Sequence, residues 1–80
     1  MCKIDLLNNI DKIHTTKMSL DRISNNLSIS KQEVINTCKE IITNNNSNIT
    51  KKGKNYYCKL NNIILTINVY SFTIITAHKQ

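Results

Sequence analysis

The sequence contains no proline, no tryptophan and a single glycine, Gly53. Flexible linkers and low-complexity tails are rich in glycine, proline and serine, so this composition argues against them. A single glycine also excludes a glycine-rich phosphate loop, which needs several glycines at fixed spacing. We therefore expect residues 1–80 to form one folded domain without such a loop.

Long apolar runs are also missing. A membrane-spanning helix needs about 18 or more consecutive apolar residues, and the longest apolar region, residues 60–77, is interrupted by three asparagines and Ser71. Near the N-terminus, Asp5 and Asp11 interrupt any apolar segment of a secretory signal. The sequence predicts a cytoplasmic protein with no membrane contact.

The cysteines Cys2, Cys38 and Cys58 have no close spacing. Zinc-ribbon sites need paired ligands such as C-x-x-C, and no acidic residue lies in the second half of the chain to hold a metal. An odd number of cysteines in a reducing compartment indicates free, mostly buried thiols. We expect neither a metal site nor a cofactor.

Charge is distributed unevenly along the chain. Residues 1–40 hold all five acidic residues and six basic ones, whereas residues 41–80 hold five lysines and no acid. The electropositive surface should therefore belong to the second half. Because so short a chain buries only about 60% of its unfolded surface, a homodimer is one way for it to bury more.

Apolar spacing divides the chain into a helical half, residues 3–45, and a sheet half, residues 48–78. Helical periodicity covers residues 4–13, 19–27 and 30–42. Ser19 is expected to cap the second helix, and Ser30 with Glu33 has the spacing of a capping box at the third.

In the sheet half the period changes to two, with turns expected at Gly53, at Asn61-Asn62 and over residues 68–71. The second turn would pair Leu60 with Ile63, Cys58 with Leu65 and Tyr56 with Ile67. The third would pair Ile67 with Phe72, Leu65 with Ile74 and Ile63 with Thr76. Both turns place apolar side chains on one face, so they agree on one register.

The predicted fold is α+β, with two or three N-terminal helices packed on one face of a four-stranded antiparallel β-meander. The face away from the helices should carry Tyr57, Lys59, Ile64, Thr66, Thr73, Ile75 and Ala77. Thr76 and His78 fall at the far end of the helix-facing side, beyond the last apolar pair. We expect the helices to overhang a pocket there.

Lysines and tyrosines are interleaved in the sequence KKGKNYYCK, residues 51–59. Lysine side chains bind phosphate and a tyrosine ring can stack on a base, so this pattern favours nucleic acid or a nucleotide. The predicted ligand contacts are Lys51, Lys52, Lys54, Tyr57, Lys59, Thr66 and Thr73. The alternative is a solvated turn that only increases solubility.

The two histidines, His14 and His78, are the candidate proton-transfer groups, and Thr76 lies two residues before His78. Two histidines and a lysine are sufficient in principle for metal-free phosphodiester cleavage: one removes a proton, the other protonates the leaving oxygen, and the lysine stabilises the charge on phosphate. We therefore name His78, Thr76 and His14 as candidate catalytic residues. The alternative is a polar end to each segment.

Several segments resemble one small bacterial family, DUF3781. The segments are LLNNIDKIHTT, VINTCKEII, KGKNYYCKL and ILTINVYSFTIITAHK. The resemblance implies a single small intracellular domain and carries no assigned activity. A looser likeness, to the barnase and RelE-type ribonucleases, implies RNA cleavage with His78 as general acid or base, Thr73 and Thr76 as phosphate contacts, and Lys54 as the charge stabiliser.

These observations lead to a small basic domain that binds RNA or a phosphate-bearing nucleotide, with ribonuclease activity left open. The abundance of asparagine, isoleucine and lysine indicates AT-rich coding, which equally suits a phage or mobile-element counter-defence protein. Such a protein would block a host nuclease complex or sequester a nucleotide signal without catalysis. A winged-helix DNA-binding protein is the third hypothesis, because residues 19–41 resemble a helix-turn-helix, although the reading helix would carry no net charge.

Overall fold

The computed structural model describes residues 2–79, which form three α-helices, two short 3₁₀ helices and five strands. The α-helices are α1 (Cys2–Asn8), α2 (Lys17–Leu27) and α3 (Val34–Thr43), and the 3₁₀ helices are Ile10–Lys12 and Lys31–Glu33. The strands are β1 (His14–Thr15), β2 (Asn48–Lys52), β3 (Asn55–Leu60), β4 (Ile63–Asn68) and β5 (Thr73–Lys79). The predicted order, helices before strands, holds except for β1.

The strands form one mixed sheet in the order β1-β5-β4-β3-β2. Strands β2 to β5 are an antiparallel meander, as predicted, but β1 pairs in parallel with β5. The prediction of a four-stranded antiparallel sheet is therefore wrong, while the α+β class is confirmed. A strand of two residues is too short to show a period, so apolar alternation did not predict β1.

The helix starts differ from the predicted ones. Thr16, not Ser19, caps α2: its hydroxyl accepts the Ser19 backbone N–H at 3.2 Å. Ser30 makes no side-chain capping bond, so the capping box is absent, and a 3₁₀ turn over Lys31–Glu33 precedes α3 instead. The third helix ends at Thr43, one residue beyond the predicted helical stretch of residues 30–42.

The core lies between the helices and one face of the sheet. Its helix-side residues are Leu6, Ile13, Ile23, Leu27, Val34, Cys38, Ile41 and Ile42. Its strand residues are Tyr56, Cys58, Leu65, Ile67, Ile74 and Ala77. Helices thus cover one face of the sheet, as predicted, in a two-layer arrangement.

The thiols of Cys38 and Cys58 are fully buried, as predicted, whereas the Cys2 side chain lies outside the described part of the structure. Burial, and to a smaller extent the neighbouring Cys58, raises the pKa of the Cys38 thiol from 9.0 to about 12. The thiol of Cys38 is therefore protonated at neutral pH and belongs to the core.

The β3–β4 hairpin has the predicted register. Leu60 pairs with Ile63, Cys58 with Leu65 and Tyr56 with Ile67. Asn61 provides the positive φ of 55° that this tight turn needs. Gly53 does the same for the β2–β3 turn with a φ of 62°.

The β4–β5 register differs from the prediction. Asn68 closes the turn by accepting the backbone N–H groups of Tyr70 and Ser71 on its side-chain oxygen and that of Phe72 on its carbonyl. Phe72 has a φ of 58°, so it belongs to the turn and not to the strand. Six residues, 68–73, separate the paired Ile67 and Ile74, two more than predicted, and the expected Ile67–Phe72 pair does not form.

A β-bulge then shifts the rest of β5. Ile67 pairs with Ile74 and Thr66 pairs with Thr76, which leaves Ile75 as the extra residue. Leu65 therefore faces Ala77 and not Ile74, and Ile63 faces Lys79 and not Thr76. Since one extra residue reverses the alternation, Ala77 enters the core, where it is 0% exposed, and Thr76 leaves it.

Candidate nucleic-acid interface

The face of the sheet turned away from the helices is called the open face below. Three rows of side chains cross it from strand to strand. The rows are Lys52–Asn55–Asn68, Thr50–Tyr57–Thr66–Thr76 and Asn48–Lys59–Ile64–His78. Thr73, next to the helix-facing Ile74, and its β1 partner His14 lie at the edge of the same face.

Tyr57 lies in the middle row of the open face. Its side chain is half-buried, and its hydroxyl accepts the Asn55 side-chain N–H at 3.5 Å. Thr66, its cross-strand neighbour, is only 8% exposed although no helix covers it. The row therefore offers one aromatic ring among threonine hydroxyls, a surface suited to stacking and hydrogen bonding with a base or ribose.

The positive charge of the open face comes from Lys52 and Lys59, both exposed. Lys51 pairs with the core residue Tyr56, so it lies on the helix side of β2, and Lys54 lies in the β2–β3 turn. All five acidic residues of the chain belong to the helical layer. The open face consequently carries bases without acids, a potential that attracts phosphate.

The prediction placed Thr76 and His78 on the wrong face of the sheet. Both were expected on the helix-facing side, beneath a pocket. The bulge at Ile75 places them on the open face, where Thr76 is half-buried opposite Thr66 and His78 is exposed opposite Ile64. Ala77, expected on the open face, faces the helices for the same reason.

His14 is held by hydrogen bonds at both ring nitrogens. Nδ1 lies 2.8 Å from the Lys12 carbonyl oxygen, which can only accept, so Nδ1 carries a proton. Nε2 lies 3.0 Å from Thr73 Oγ1, and that hydroxyl also lies 2.8 Å from Ser71 Oγ. In the neutral imidazole, Thr73 therefore donates to Nε2, and the network anchors β1 to β5.

The two histidines lie at opposite ends of β5. His14 bonds to Thr73 at the start of β5, and His78 lies five residue steps further along the strand, about 16 Å at the usual rise. A phosphodiester is much smaller than this separation. The structure therefore does not bring His14 and His78 together as an acid–base pair on one phosphate.

Lys59 and His78 are better placed relative to each other. They lie in the same row with Ile64 between them, so their backbones are two strand spacings, about 10 Å, apart. Both side chains are exposed on the open face. A single phosphate between these two strands can be reached by both.

The helix-turn-helix segment has one basic residue already engaged. Lys31 Nζ lies 2.7 Å from Asp21 Oδ1 on α2. Ser28 ends α2 in the left-handed conformation, with a φ of 57°. The acidic partner reduces the charge that this segment can present to DNA phosphates.

The segments that resemble DUF3781 lie on α1 and β1, on α3 and on the meander. A sequence profile described as "Protein of unknown function (DUF3781)" matches residues 7–78. The chain belongs to the DUF3781 family. No curated protein and no solved structure matches this DUF3781 chain significantly, and the likeness to ribonucleases stays a prediction.

The described residues of the DUF3781 chain contain neither a candidate membrane span nor a candidate metal centre. No helix there is both long and apolar enough to cross a bilayer. No group of three or more His, Cys, Asp or Glu side chains there is arranged to hold a metal ion.

Proposed function

We propose that this DUF3781 protein binds single-stranded RNA across the open face of its sheet. The observation that carries the proposal is the segregation of charge. Lys52 and Lys59 flank Tyr57 on a face without acids, while every acidic residue lies in the helical layer. A strand of RNA bound to this face would contact basic side chains and hydroxyl groups, and no Asp or Glu side chain.

Each part of a nucleotide has a candidate contact on this face. The Tyr57 ring offers a stacking surface for a base, and the two lysines offer charge for the backbone phosphates. The hydroxyls of Thr50, Thr66 and Thr76 share the row of Tyr57 and can bond to a ribose 2′-OH. These contacts favour RNA over DNA and an unpaired strand over a duplex, whose bases are already stacked.

Binding of fluorescently labelled single-stranded RNA, followed by anisotropy, tests the proposal. Tyr57→Ala should weaken binding by about 1–3 kcal/mol, the usual loss for one base–aromatic stack. Lys59→Gln should lower the slope of log K against log salt by about 0.7, because one phosphate contact is lost. Lys17→Gln, which removes an exposed charge from α2, is the matched control and should leave both quantities unchanged.

Three outcomes would contradict the proposal. RNA that binds the Tyr57→Ala variant as tightly as the wild type would place the site elsewhere. Preference for duplex DNA, lost on changing Lys31, would favour the winged-helix hypothesis. Absence of RNA binding together with capture of a host nuclease would favour a counter-defence protein.

Cleavage is tested with the same RNA, incubated in EDTA. The Lys59–His78 row supports a single-histidine mechanism. His78 would take the proton of a ribose 2′-OH as its oxygen attacks phosphorus, and would return that proton to the 5′-oxygen as its bond to phosphorus breaks, while Lys59 stabilises the charge on phosphate. If the protein is a metal-independent ribonuclease, fragments should accumulate and His78→Ala should abolish them. Binding without fragments would leave the RNA-binding proposal intact and remove the ribonuclease.

A further inference from the structure

Tyr70 is an exposed aromatic residue at one end of the sheet and is not among the predicted site residues. Its side chain is 76% exposed, whereas Tyr56 is buried and Tyr57 is half-buried. A tyrosine ring buries a large area when it finds a partner, and exposed aromatic residues are enriched where proteins bind ligands. The sequence signal for it is the predicted turn over residues 68–71, because turns lie at the protein surface.

The backbone under Tyr70 is tightly held. Asn68 Oδ1 accepts the Tyr70 N–H at 2.9 Å and the Ser71 N–H at 3.0 Å. The Asn68 carbonyl accepts the Phe72 N–H at 3.0 Å and closes the turn. A ring presented on an ordered turn loses little backbone entropy when it binds, which favours affinity.

A basic residue lies beside this turn. The Val69 N–H donates to the Lys54 carbonyl at 2.9 Å, so the β4–β5 turn and the β2–β3 turn are bonded to each other. The Lys54 side chain is exposed, and a Cβ on the adjacent Gly53 would meet no heavy atom within 4 Å apart from those of residues 52–54. An aromatic ring and an ammonium group thus share this end of the sheet with open space around them.

The end of the sheet is continuous with the open face. The row of Asn68 is two residues along β4 from the row of Tyr57, about 7 Å, and the turn that carries Tyr70 begins there. Lys52, in the Asn68 row, lies between the two aromatic positions along the sheet. An RNA strand with one base stacked on Tyr57 can therefore pass over the Asn68 row and reach the two turns directly.

We propose that Tyr70 and Lys54 form a second nucleotide-binding subsite, at which the next part of the RNA strand stacks on Tyr70 and places a phosphate on Lys54. This inference rests on the proposed function, because it extends the same RNA beyond Tyr57. It assigns a role to Lys54, which lies off the open face. It also explains why the chain exposes a tyrosine on a turn fixed by Asn68.

A series of oligouridines from about 4 to about 16 nucleotides, a range typical of single-strand sites, tests the subsite. The affinity of the wild type should rise with length until both rings are occupied. Tyr70→Ala should remove that rise, with a loss of roughly 5- to 150-fold for the longest RNA and none for the shortest. Tyr70→Phe keeps the ring and should bind as the wild type does.

Met18→Ala is the matched control, because Met18 is equally exposed, at 76%, but lies on α2. It should bind every length as the wild type does. If Tyr57→Ala binds oligouridines of every length weakly while Tyr70→Ala binds them as the wild type does, the second subsite is refuted and the proposed function stands. If Met18→Ala loses as much as Tyr70→Ala, the effect is not local and the subsite is also refuted. If the wild type binds no length, the proposed function fails first.

Discussion

Ala77→Val tests the bulge in β5, on which the composition of the open face depends. Ala77 is 0% exposed and faces α2, whose Asn26 side chain donates to the Ala77 carbonyl at 3.1 Å. The helix passes close to the strand at this point, which is why a small side chain is needed. Two added methyl groups have no free volume and should cost about 1–3 kcal/mol by overpacking.

Thermal unfolding followed by circular dichroism measures the effect. In a domain of this size, each 1 kcal/mol lowers the melting temperature by about 4–8 °C, so a cost of about 2 kcal/mol predicts a drop of roughly 8–16 °C. Thr76→Val is the matched control, because the same valine is placed one residue away on the open face. It should change the stability by less than about 0.5 kcal/mol, as surface substitutions do.

The regular register makes the opposite prediction. Without a bulge, Thr76 would face the helices and Ala77 would face solvent. Thr76→Val would then remove a hydroxyl from the core and change the stability strongly, whereas Ala77→Val would be nearly neutral. That pair of results would refute the bulge. It would also mean that His78 does not share a face of the sheet with Lys59.

Two other predictions concern the core and the β4–β5 turn. The pKa of the Cys38 thiol is raised from 9.0 to about 12, so between these pH values the thiol stays protonated in the folded state and ionises in the unfolded chain. The stability that the thiol contributes is therefore fully present below pH 9 and is lost as the pH rises toward 12. Between these pH values, the free energy of unfolding measured with urea should fall more steeply for the wild type than for Cys38→Ala, by about 1.4 kcal/mol per pH unit. If the free energy of unfolding falls equally steeply with pH in both proteins, the burial of the thiol is contradicted. Asn68→Ala should cost about 1–2 kcal/mol and speed amide exchange at Tyr70, because two backbone N–H groups lose their acceptor. Asn68→Asp keeps that acceptor and should retain most of the protection; equal exchange in both variants would show that the side chain does not hold the turn.

The parts of the fold that were predicted correctly depend on neighbouring residues. The β3–β4 register follows from a two-residue turn and a strict alternation on each side, so Tyr56, Cys58 and Leu65 were assigned to the core. The apolar stripe of α3 follows in the same way from its helical spacing. In both cases the physical cause acts over a few residues of chain.

The site was predicted in part. Charge counting located the basic surface in the second half, and alternation placed Tyr57, Lys59 and Thr66 on the face away from the helices. Their grouping with His78 was not predicted, since it required the bulge. The separation of His14 from His78 was not predicted either, because it depends on β1 pairing with the start of β5.

The sequence by itself determined the α+β class, the order of helices and meander, and the face on which Tyr57 stands. Apolar periodicity and turn chemistry act locally and are written in consecutive residues. The tertiary structure alone decided the parallel pairing of β1 and the register of β5. These depend on contacts between distant segments, where Thr73 meets His14 and α2 packs over Ala77, and no local pattern records which residues will meet.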